Sequence, residues 1–85
     1  MSAQVYFIWP GCVYIKLEKH RTERVSGPST ALRALDQWWP AERGHHYYTA
    51  KAACSAAMLW KCTPVLARET FIAAAIEANI LIGFT

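Results

Sequence analysis

The sequence predicts a small α+β domain: an N-terminal β-hairpin of two or three short strands, followed by three α-helices packed on one face. Three observations carry this reading. In "CVYIKLE" the apolar residues alternate, with Val13, Ile15 and Leu17 pointing one way and Tyr14, Lys16 and Glu18 the other. From Ser26 onward the apolar period lengthens to that of a helix. Pro28, Pro40 and Pro64 then divide the remainder into three helical stretches.

Residues 1–10 carry "VYFIW", an arm or extra strand set off by Pro10-Gly11. Residues 11–26 form the hairpin, with "KHRT" as a polar turn and "ERVS" as a weaker return strand around Val25. The three-helix part spans 26–80. Ser26 is the expected N-cap of the first helix, and Pro28 is tolerated in its first turn. Ala31, Leu35 and Trp39, with Leu32, make its apolar stripe, and Pro40 ends it. After the loop "PAERG", a second helix runs from His45 to about Lys61. Ala50, Ala53 and Ala57 gather on one side with Trp60, and Tyr47, Cys54 and Met58 line an adjacent strip. Side chains this small let another helix approach closely.

Thr63 suits an N-cap and Pro64 the first position of a third helix reaching Asn79. That helix has two apolar stripes. Ala67, Phe71, Ala74 and Ala78 form one; Val65, Ile72 and Ile76 form the other, roughly 120–150° away at 100° per residue. A helix apolar on two sides is expected to lie between two surfaces, one of them a sheet and the other a helix or a partner chain. "ILIGFT" closes the chain, with residues 81–85 as a tail or edge strand.

Eighty-five residues make one domain, and a chain this short buries only roughly 60% of what it exposes when unfolded. With 54% apolar residues, four Trp and four Tyr, it has more apolar surface than so small an interior can hide. Self-association is therefore expected, most simply as a homodimer. The net charge of +3 is mild, and the three cysteines follow no disulfide framework. No basic stretch precedes "VYFIW", and no apolar run reaches about eighteen residues, so a reduced, cytoplasmic, non-membrane protein is expected.

Chemistry is sparse. "GHHYYTAKAAC" offers His45, His46 and Cys54, but on one helix His46 and Cys54 stand about 12 Å apart along the axis, beyond one zinc ion's reach. Neighbouring histidines diverge by about 100°. Cys12 and Cys62 add no metal-ligand spacing, so neither a metal nor a cofactor is expected. A catalytic pair of His20 with Cys54 or Cys62 lacks an orienting acid, and Cys54 sits among alanines. There is no glycine-rich phosphate loop. The expectation is a protein without catalytic residues. The basic hairpin gives an alternative, weak nucleic-acid binding with Lys19, Arg21 and Arg24 on phosphates, although Glu18 and Glu23 interrupt its field.

"WPAERGHHYYTAKAAC" followed by "PVLARETFIAAAIEANI" resembles a small bacterial family, domain of unknown function 982. The matching residues are Trp39, Pro40, Arg43, Gly44, Tyr47, Ala50 and Cys54, then Pro64, Ala67, Arg68, Phe71, Ala74, Ala75, Glu77 and Ala78. Trp9 and Val13 match the opening strand, and Ser26, Ala31 and Leu35 the first helix, so the resemblance spans about residues 9–80. It implies a fold and no activity. One departure stands out: Trp60 occupies the place where the family pattern has a glycine ending helix two, and a left-handed cap is unfavourable for Trp. Most matched residues read as framework. Arg68 is expected to be a structural tether from helix three to a carboxylate such as Asp36 or Glu42. The function expected is a non-enzymatic protein–protein interaction or regulatory module, acting as a homodimer through Trp38, Trp60, Ile72 and Ile76.

Overall fold

The alternation of "CVYIKLE" becomes β1 (Val13–Lys16), with Val13 and Ile15 fully buried. The computed structural model describes residues 8–18 and 21–85. Most of the expected arm, and Lys19 and His20 of the hairpin turn, lie outside the described residues. β2 (Thr22–Val25) pairs antiparallel with β1, Val13 opposite Val25 and Lys16 opposite Thr22. β3 (Leu81–Phe84) pairs antiparallel along the other side of β1, giving the strand order β2-β1-β3. The last residues are thus an edge strand, held by Thr85 N–H donating to Cys12 O at 3.0 Å and Lys16 N–H donating to Ile80 O at 2.8 Å. The helices pack against this sheet, so the fold is α+β.

The first helix departs from expectation. α1 (Pro28–Arg33) runs for six residues and continues as a π-helical turn, Ala34–Trp38. Ala31, Leu35 and Trp39 recur every fourth residue, which drifts by about 40° per step on an α-helix. A widened π turn takes up part of that drift and leaves Leu35 and Trp39 buried. Nor is Ser26 the cap. Gly27 holds that position without a side-chain bond, while Ser26 O accepts from Trp9 N–H at 2.7 Å.

α2 (His45–Met58) buries Tyr47, Ala50, Cys54 and Ala57, so the two strips read from the sequence merge into one face. It ends before Lys61, because Lys61 N–H returns to Ala56 O at 2.8 Å and Trp60 N–H to Ala57 O at 3.1 Å. This is a Schellman closure, with Trp60 left-handed at φ 65°. The glycine-like backbone is kept although the residue is Trp. α3 (Pro64–Glu77) begins at Thr63, whose hydroxyl accepts from Leu66 N–H at 3.1 Å. It closes in the same way around Asn79 at φ 60°, two residues short of the expected end. Asn tolerates that conformation; Trp does so at a cost.

The core is an aromatic group walled by small residues. Phe71 is fully buried, 5.6 Å from Trp9 and 5.4 Å from Trp39 by ring centres, and Tyr47 stands 6.2 Å from Trp39. Tyr47 satisfies its hydroxyl by donating to Leu35 O at 3.0 Å. Against this group α2 and α3 meet through Ala50, Cys54, Ala57, Ala67 and Ala74, all buried. The Cys54 thiol comes within 4.0 Å of Ala67 O on the facing backbone.

The left-handed Trp60 gives the first prediction. Trp60→Gly and Trp60→Ala both remove the indole, but only glycine adopts φ 65° freely. Urea unfolding should find the glycine variant more stable than the alanine variant by about 1 kcal/mol. Equal stabilities would show that the closure relaxes in solution.

Candidate interaction surface

Two polar ties fix the ends of α3. The first is Glu77, whose carboxylate accepts from His46 N–H at 3.0 Å and Tyr47 N–H at 3.1 Å. The free amides at the start of α2 are therefore capped from another helix. Gly44 makes room for this: a Cβ there would lie 2.5 Å from Glu77 Oε2. The His46 N–H above all, aided by that of Tyr47, holds the Glu77 carboxyl below the ordinary glutamate range. The second tie is Arg68. Its Nε donates to Gly11 O at 3.3 Å, a terminal nitrogen donates to Thr85 O, and its guanidinium lies 5.3 Å from the Phe84 ring centre. This corrects the expected carboxylate partner. Among the described residues Arg68 forms no ion pair with Asp36 or Glu42, and Asp36 instead meets Lys51 at 2.9 Å. The Arg68 fork reaches Gly11 and Thr85 together because Gly11, lacking a Cβ, lets Thr85 come against it.

The catalytic and metal candidates are scattered. Burial pushes the Cys54 thiol up to about 12, far from a reactive thiolate. Cys12 and Cys62 are part-exposed, and all three cysteines are free. His45 and His46 stack edge to face at 5.4 Å between ring centres on the exposed start of α2. Among the described residues no three His, Cys, Asp or Glu side chains gather as a metal site would require. No helix is long and apolar enough to cross a membrane among those residues.

The basic hairpin is partly committed elsewhere. Arg21 lies over the Trp38 ring at 4.9 Å and 3.9 Å from Glu23, beside a shallow groove of about 360 Å³ between the hairpin and Trp38. Arg24 is exposed on β2, and Lys19 lies outside the described residues.

Apolar surface is the more extensive feature. On the second stripe of α3, Val65 is 51% and Ile76 61% exposed, whereas Ile72 is half-buried against the core. Ile82 and Phe84 on β3 are each 54% exposed. β3 starts shortly after α3 ends and runs back along it, as the contact of Arg68 with Phe84 and Thr85 requires. The other expected contacts lie apart: Trp38 is half-buried under Arg21, and Trp60 is exposed at the α2–α3 turn near Leu59. Ile82 and Phe84 were not among the contact residues expected from sequence. The apolar run "ILIGFT" carried that signal, but a tail and an edge strand read alike over so few residues.

A model for proteins of unknown function, DUF982, matches residues 11–82. The chain belongs to the DUF982 family. No curated protein and no solved structure matches it. The DUF982 match covers Glu77 with its partners at Gly44, His46 and Tyr47, and Arg68 with Gly11, and ends at Ile82, before the Phe84 and Thr85 that Arg68 also meets.

Two predictions arise here. A carboxylate whose folded pKa is depressed contributes stability that is complete above the ordinary value of about 4.3 and is lost as pH falls through the folded value. The melting-temperature gap between wild type and Glu77→Gln should therefore be widest at neutral pH and shrink in acid. Gly44→Ala should resemble Glu77→Gln, and combining them should add little, since both empty one cap. A pH-independent gap, or full additivity, would contradict the cap. Separately, Cys12 and Cys62 of the folded protein should take up iodoacetamide, while Cys54 does so only on unfolding. Peptide mass mapping would read this, and early labelling of Cys54 would contradict its burial.

Proposed function

We propose that this DUF982 chain is a non-enzymatic protein–protein interaction or regulatory module of the cytoplasm, acting as a homodimer. One observation carries the reading: Val65 and Ile76 on α3 and Ile82 and Phe84 on β3 are each more than half exposed. Monomeric proteins seldom leave large apolar patches to water. The free cysteines support a reducing compartment. The absence of an enzymatic role is supported by the buried, protonated Cys54 and by histidines that open a helix rather than line a cleft. Nucleic-acid binding has less behind it, because Arg21 is turned toward Trp38 and Glu23, leaving Arg24 and Lys19 as its phosphate contacts.

Sedimentation equilibrium from low to high micromolar concentration tests the homodimer. The expected result is a mass approaching two chains, with Ile76→Lys shifting the equilibrium toward one chain by tenfold or more. A mass of one chain throughout would overturn the reading. Salt titration of labelled RNA and DNA checks the alternative, since phosphate contacts weaken steeply with salt.

A further inference from the structure

We propose that the helix-free face of the sheet is a docking surface for single-stranded nucleic acid, with a base stacked on Tyr14 and the neighbouring phosphates held by Lys16 and Arg24. The proposal goes beyond the interaction-module reading and is independent of whether the chain forms a homodimer. It begins with the register of β1 against β2, which is regular over all four of its pairs. In an antiparallel pair, residues directly opposite share a face, and successive residues alternate between faces. Val13, Ile15 and Val25 are fully buried, so they mark the side that the helices cover. Tyr14 and Lys16 on β1, with their partners Arg24 and Thr22 on β2, therefore occupy the other side. Exposure agrees: Tyr14 is part-exposed, and Lys16, Thr22 and Arg24 are exposed.

β3 completes this face. Gly83 is the partner of Tyr14, on the regular side of the shift that falls between Tyr14 and Ile15. A Cβ added to Gly83 would meet no atom within 4 Å. Tyr14 thus has bare backbone on one flank. On the other flank stands Arg24, directly opposite at about 5 Å between Cβ positions. Lys16 follows on the same face, about 7 Å further along β1. The ring is on the central strand of the three, with one cation beside it and another beyond it.

Charge selects the class of partner. Among the described residues the strands put no carboxylate on this face. Glu23 is opposite Ile15, hence on the helix side, and stands 3.9 Å from Arg21. Glu18 lies past the end of β1, beside Arg21 and Trp38, and forms no ion pair with Lys16 among the described residues. β3 is uncharged. The field of this face, in a chain of net charge +3, attracts an anion. A duplex or an acidic peptide would engage the two cations and leave the ring idle. A single strand engages both, since each base offers a π-face to an aromatic ring while its phosphates meet the cations. Gly83 leaves the space beside Tyr14 that a stacked base needs. Arg21, which lies over Trp38, has no part in this surface.

The probe is a fluorescein-labelled oligothymidylate, read by anisotropy at low and moderate salt. It is compared with an abasic strand of the same length and with the same strand paired to its complement. The single strand should bind best, and its affinity should fall steeply with salt. Tyr14→Ala should weaken it at least fivefold, Tyr14→Phe should keep wild-type affinity, and neither should alter binding of the abasic strand. Lys16→Ala combined with Arg24→Ala should weaken both strands and flatten the salt dependence. Gly83→Leu, which spares the ring and both cations, should weaken the single strand alone, and Arg21→Ala should leave its affinity unchanged. Thermal melting establishes that each variant is folded. In the wild type, ultraviolet cross-linking to the oligothymidylate should mark the peptide that holds Tyr14 rather than the one that holds Arg21. No binding at low salt, equal affinity for the abasic strand or the duplex, unaltered affinity in folded Tyr14→Ala, or cross-links confined to the Arg21 peptide would each overturn the proposal. None of these outcomes bears on the homodimer, which sedimentation decides separately.

Discussion

The close approach of α2 to α3 is the constraint on which the rest of the structure hangs. Alanines and one cysteine line it, so near that the Cys54 thiol reaches the backbone of α3 at Ala67. Larger side chains would hold the helices apart, and the consequences would reach every other element. Phe71 would lose the walls that press it between Trp9 and Trp39. Glu77 would no longer arrive at the start of α2, and the amides of His46 and Tyr47 would return to water. The identity of Cys54 follows from the same cause, as a small apolar filler whose thiol burial keeps protonated.

From that contact the two ends of α3 acquire different tasks. Its C-terminal end is a polar latch, in which a helix supplies another helix with the cap that Gly44 lacks. Nearer its N-terminal end, Arg68 gathers Gly11, Phe84 and Thr85 and so seats β3 beside β1. Neither tie is an ion pair. Charged groups bonded to main-chain atoms replace hydrogen bonds that would otherwise be left to solvent, and they fix direction as well as distance. α3 also leaves Val65, Leu66 and Ile76 exposed, and β3 carries no charged residue.

Small size explains why apolar surface remains. A domain of 85 residues with one sheet and three helices has room for a single aromatic group, and Trp9, Trp39, Tyr47 and Phe71 fill it. Val65, Ile76, Ile82 and Phe84 are left beyond it.

The sequence by itself determined the elements and their order, because alternation in "CVYIKLE", prolines at helix starts and small residues at helical spacing are local physics. It also identified the family and marked Trp60 as a residue out of place for a left-handed turn, which the backbone nonetheless adopts. Tertiary structure decided the rest. A π turn in place of a regular helix end depends on how Leu35 and Trp39 must reach a shared core. The partners of Arg68 and Glu77 stand 57 and 31 residues away at Gly11 and His46, beyond any local pattern. Whether "LIGF" is a tail or an edge, and which of its faces meets α3, follows only from its register against β1. Spacing along a chain dictates what a segment can become; which surfaces it leaves uncovered is settled when distant segments compete for the same core.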